Sequence, residues 1–160
     1  MAILTTSGRV ALATAIKAST LHLAWGRGLA DWDTNTPREP RSALSLTDEI
    51  ARRKVNAVHY CKPQDDGDIV MLGARFARSD TPTANLYLRT EFDFNDGLGE
   101  TIRELGVFVN TQILPNRPAG QTYFLPADLQ SPGTLLAIDY ITAIRRGVGA
   151  RQTFDFVITF

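Results

Sequence analysis

The chain has 160 residues, 44% of them hydrophobic and 21% charged, and its seventeen basic and seventeen acidic residues cancel. A balanced charge of this kind supplies no electrostatic footprint for nucleic acid or an anionic membrane, so neither is an expected partner. One cysteine excludes an internal disulfide and a Cys-rich zinc site, and no apolar run approaches the roughly 18 residues of a membrane span.

The chain order opens with a helix over 5–19, where Thr5, Thr6 or Ser7 can cap an Ala-rich run. LHLAW (21–25) alternates as a strand. A long turn-rich segment follows over 26–42, carrying Trp32 between Asp31 and Asp33. Loops of that length in a compact domain are usually functional. SLTDEIARRK (45–54) reads as a second short helix, because acidic residues precede basic ones as the helix dipole prefers. From there the pattern is β. VNAVHY (55–60) is a strand, and GDIVMLGARFARS places Val70, Leu72, Ala74 and Phe76 on one face. NLYLRTEFDF alternates Leu86, Leu88, Thr90, Phe92 and Phe94 against polar residues. LGVFVNTQIL (105–114), TYFL (122–125) and LLAIDYITAI (135–144) follow, and RQTFDFVITF (151–160) is joined to the last of these by a hairpin-like RRGVG turn. The expected fold is α+β, mainly β: an antiparallel sheet or sandwich with two helices, in one domain over 1–160.

Catalytic chemistry finds little support. His22 and His59 fall in separate strands, and Cys61 lacks an evident base and orienting group. DFNDGLGE (93–100) misses the calcium-loop spacing and reads as a turn. No phosphate loop, metalloprotease or nucleophile-elbow motif is present. The protein is expected to be no enzyme, with no catalytic residue, cofactor or metal.

The order of motifs carries a resemblance. LTTSGRVALATAI leads to LHLAWGRG, then to LTDEIARRKV with Leu46, Glu49 and Arg52 or Arg53, and later to ETIRELGVFV with Ile102, Arg103, Glu104, Gly106 and Phe108. This resembles the N-terminal attachment domain of tail-fibre (tail-collar) proteins of tailed bacteriophages. It is also similar to small tail and baseplate proteins encoded beside fibre genes in Mu-like phages. Fibre proteins continue into a shaft and a receptor-binding tip, whereas this sequence stops at Phe160. The resemblance therefore implies a stand-alone adapter in the virion tail or baseplate, assembled in the host cytoplasm in several copies. Its partners would be other tail, baseplate or tail-fibre proteins.

Two contact regions are expected: the loop from Trp25 to Pro40, with Trp25, Arg27, Trp32 and Asp33, and the apolar last strand, with Phe156 and Phe160. Trp and Arg are the usual interface anchors. The alternative is a β-rich carbohydrate- or receptor-binding module using Trp32, Tyr87 and Tyr123. Glu104 lacks a catalytic companion, so it is expected to be structural. Glu49, Arg52, Arg53 and Arg103 complete the charge set, with Arg52 or Arg53 as the partner of Glu104.

Overall fold

A computed structural model describes residues 1–160 as one α-helix, α1 (Thr6–Lys17), and twelve strands. In chain order these are β1 (Leu21–Gly26), β2 (Glu49–Lys54), β3 (Ala57–Pro63), β4 (Ile69–Met71), β5 (Ala74–Ser79) and β6 (Asn85–Phe92). Then come β7 (Thr101–Val109), β8 (Gln112–Ile113), β9 (Tyr123–Phe124), β10 (Leu129–Ser131), β11 (Thr134–Arg145) and β12 (Gln152–Thr159). The fold is mainly β and antiparallel, as expected. It divides into two compact units, each made of separated stretches: 1–19, 55–90 and 153–160 in one, 20–54 and 91–152 in the other.

The first unit holds the sheet ordered β12-β6-β3-β5-β4. Its core gathers Cys61, Ile69 and Tyr87, with Met71, Phe76 and Val157 packed against them. The helix α1 begins where Thr5 Oγ1 accepts the Gly8 N–H at 3.1 Å, and it buries only Ala13 fully. Tyr60 ties it down through a 3.1 Å bond to Thr14 and a cation–π contact with Lys17. The expected continuous face through Val70, Leu72, Ala74 and Phe76 is replaced by a hairpin. Gly73 takes a positive φ, which a tight turn requires, and Leu72 stands fully exposed at its tip. Phe94 likewise lies beyond the end of β6 and is exposed, while Leu86, Leu88, Thr90 and Phe92 are buried as the alternation predicts.

The second unit holds the sheet ordered β11-β7-β1-β2-β9, with β8 and β10 paired apart from it. Residues 49–54 are a strand, not the expected second helix; the other helical turns in the chain, Ala30–Asp33 and Pro126–Asp128, are short 3₁₀ turns. Pairing on both edges, with β1 and β9, overrides the local propensity of EIARRK. The register explains why the charges misled. Trp25 pairs with Ala51 and Gly26 with Glu49, so Ile50 is an extra residue on β2. A bulge of this kind shifts side-chain parity, bringing Glu49 and Arg52 to the same side although three residues apart. That spacing mimics a helical pair.

The RRGVG segment is not a hairpin either, since β11 and β12 belong to different sheets. Arg146 anchors it instead. Its side chain is buried, donates to the carbonyls of Asp93 and Asp96, and lies over the Trp25 ring.

Candidate functional site: a clasped loop

Residues 27–48 leave the sheet at the end of β1 and return at the start of β2. Glu104 on β7 closes this loop at its base. Its side chain is completely buried. Oε1 accepts the Asp48 N–H at 2.8 Å and the Gly28 N–H at 3.3 Å, and Oε2 accepts the Thr47 N–H at 2.9 Å. One carboxylate thus holds both ends of the loop, helped by the Arg27 N–H bonded to the Asp48 carbonyl at 2.9 Å. A carboxylate is an acceptor-only group with several lone-pair positions, which suits it to gathering backbone donors.

Space for the clasp comes from Gly26, which pairs with Glu104 across the sheet. A Cβ on Gly26 would lie 2.4 Å from Glu104 Oε1 and 2.7 Å from the Asp48 carbonyl oxygen. Only a residue without a side chain fits there. Gly28 carries a positive φ, and the Trp32 ring covers it so closely that an added Cβ would sit 2.4 Å from the ring.

The expected partnership of Glu104 with Arg52 or Arg53 is therefore corrected: backbone amides take the place of a cation. Each arginine has another acid. Arg52, also buried, meets Glu49 bidentately at 2.8 and 2.7 Å, bonds Thr111 and the Pro132 carbonyl, and stacks 3.9 Å from the Phe108 ring centroid. Arg53 pairs with Asp96 at 2.9 Å. Arg103 reaches out to the loop, bidentate to Asp33 at 2.7 and 2.9 Å, and bonds the Arg27 carbonyl. These bonds hold the Asp33 carboxyl below the usual carboxylate range. Arg27 bridges Glu100 and Asp48, and Glu100 is depressed in turn by that guanidinium.

Beyond its base the loop lies along β11. Trp32 packs at 4.4 Å between centroids against Tyr140, and Glu39 accepts the Tyr140 N–H at 3.3 Å. Two shallow clefts remain. One of about 150 Å³ is lined by Trp32, Asp33, Thr36, Thr142 and Ala143. The other, of about 210 Å³, lies between Pro40, Arg41 and Ala43 on the loop and Leu135–Ile138 on β11.

The remaining expected contact residues separate. Trp25 is wholly buried, with its ring stacked 3.6 Å from Phe92, so it belongs to the core and offers no contact surface. Arg27, Trp32 and Asp33 do stand together on the loop. Phe156 and Phe160 are half-buried in the first unit, where the Phe160 carbonyl accepts from Arg9 at 2.6 Å. Of the aromatic set named for sugar binding, Tyr87 is buried with its hydroxyl on Asp155, and Tyr123 packs edge-on against Trp25 and Phe92.

Burial also shifts the two histidines and the cysteine. Burial, with Arg52 and Lys54 nearby, lowers His22 to about 4. Desolvation lowers His59, with smaller contributions from Arg78 and Lys17. Burial pushes the Cys61 thiol up to about 11, away from the thiolate a nucleophile needs. What sequence reasoning missed is the clasp, together with the roles of Gly26, Thr47, Asp48 and Tyr140. Its only visible trace was a glycine following an apolar strand.

Among known families, residues 1–160 fit the model described as baseplate wedge 3 tail fiber network component. No curated protein matches the chain.

Proposed function

The chain belongs to the baseplate wedge 3 tail fiber network component family, and from that premise we propose that it is a non-catalytic adapter linking tail fibres to the baseplate. The family membership makes it a structural protein of the phage baseplate, working among other baseplate and tail proteins. The adapter role is supported above all by the clasped loop. Buried hydrogen bonds at its base and a bidentate Arg103–Asp33 pair above hold one conformation before any partner arrives. Preorganisation of this kind lowers the ordering cost of association, which suits a joint between proteins. The acid that would head a list of catalytic candidates, Glu104, is fully occupied by backbone donors. Several copies around the tail axis would give the joint symmetry and multivalence.

The test is a phage carrying a deletion of the gene, examined by electron microscopy and by mass spectrometry of purified baseplates. Particles that have the protein in wild-type baseplates and lose their fibres on deletion bear the reading out. Fibres present at wild-type number in the deletion would refute it.

A further inference from the structure

β11 is the outermost strand of its sheet. Eight of its twelve residues pair with β7, on one side only. In an antiparallel ladder the N–H and C=O of a residue point to the same side, and alternate residues point to opposite sides. The Tyr140 N–H points outward, to Glu39. Between Ala137 and Tyr140 the register is regular, so Ile138 presents its backbone outward as well, and Leu136 is the extra residue of a bulge. No backbone–backbone bond ties the loop to this edge; the Glu39 side chain on the Tyr140 N–H is the hydrogen bond that does, beside the Trp32–Tyr140 packing. The 210 Å³ cleft opens beside this stretch, with apolar walls from Pro40, Ala43, Leu135, Leu136 and Ile138.

The cleft is also electrically polarised. Glu39 and Asp139 flank one end, and Asp139 is raised by desolvation and then by the charge of Glu39. Neither carboxylate is in an ion pair. Arg41, likewise without an acid, lines the cleft itself. An exposed strand edge is a template for another strand, and native proteins usually blunt it along its length. Here the loop blunts the Tyr140 end and leaves 135–138 open.

We propose that this edge is a strand-addition site for an extended apolar segment of a second baseplate protein. That segment would carry a basic residue against Glu39 and Asp139 and an acidic residue against Arg41. Main-chain bonds at Ile138, whose backbone faces outward, supply the affinity, and the two charges fix direction and register. The proposal rests on the baseplate role above and names the partner chemistry of the same loop.

The experiment places a photo-crosslinking phenylalanine analogue at Leu136, and at Val148 as an exposed control, in the full chain within infected cells. Baseplates are purified, irradiated and digested, and the joined peptides sequenced. The expected result is a crosslink from position 136, absent from position 148, to an apolar segment of another baseplate protein with a Lys or Arg at one end and an Asp or Glu at the other. Asp139→Lys and Arg41→Glu, each checked for unchanged melting, should each lower incorporation into baseplates at least tenfold. A protein present in baseplates that gives no crosslink at 136, or one to a helical or uniformly acidic segment, overturns the inference and leaves the structural role standing. So does normal incorporation of both charge variants. A protein absent from purified baseplates refutes the role itself, and the inference with it.

Discussion

Replacing Glu104 should open the loop from its base, and the size of the effect can be worked from the geometry. Three N–H groups converge on one buried carboxylate, two of them at 2.8 and 2.9 Å and one at 3.3 Å. Hydrogen bonds to a charged group are worth about 1.5–3 kcal/mol, and a buried donor left without a partner costs about 1–3 kcal/mol. The 3.3 Å bond to Gly28 is the weakest, and water can reach the others once the loop lifts. Glu104→Ala should therefore destabilise the protein by about 3–5 kcal/mol. Glu104→Gln retains one oxygen. The amide costs least when its oxygen keeps the Oε1 position, serving Asp48 and Gly28, and its NH₂ faces the Thr47 N–H. That variant should lose about 1–3 kcal/mol, chiefly from one bond. Denaturant titration measures the totals, and amide hydrogen exchange separates the sites. In Glu104→Gln, protection should fall at Thr47 and persist at Asp48; in Glu104→Ala it should fall at Gly28, Thr47 and Asp48 together. If Glu104→Ala stays within about 0.5 kcal/mol of the parent, or those amides keep their protection, the clasp is not what closes the loop.

Gly26→Ala forces a Cβ to within 2.4 Å of Glu104 Oε1; a loss of about 1–3 kcal/mol is expected from overpacking, read by the same titration. Removing Arg103 by changing it to Ala frees Asp33 and the Arg27 carbonyl, so limited proteolysis within 29–40 should accelerate several-fold while the melting temperature moves little. His22 gives a pH signature. Its folded pKa, about 4, lies below the ordinary 6.5, so the unfolded chain binds the proton more readily between those values. Stability should then rise by about 3 kcal/mol from pH 4 to 6.5 and be flat above, and His22→Phe should abolish that part of the slope. Cys61, buried with its thiol at about 11, should resist alkylation at pH 8 in the folded protein and react promptly in denaturant.

How far the sequence spoke depended on whether each feature had a local cause. The helix α1 was legible because its cap and its Ala-rich body lie side by side in the chain. β6 was legible because half-burial on a sheet writes a period of two, and β1 because its large apolar residues alternate although all six of its residues are buried. β2 was not, because Glu49 and Arg52 sit at helical spacing and come to one side only through a bulge set by pairing with β1. The hairpin misreading at RRGVG has a similar source: a turn sequence records that the chain bends, and says nothing of which sheet receives the next strand. Glu104 shows the deeper limit. The want of a catalytic companion made a structural role legible, and the search for its partner went naturally to arginines. Side chains leave letters in a sequence; backbone amides leave none. Thr47, Asp48 and Gly28 serve the carboxylate through groups every non-proline residue possesses. A buried acid is thus as well explained by a loop base as by an ion pair. Gly26, opposite it in the sheet with no room for a Cβ, is the residue that distinguishes the two.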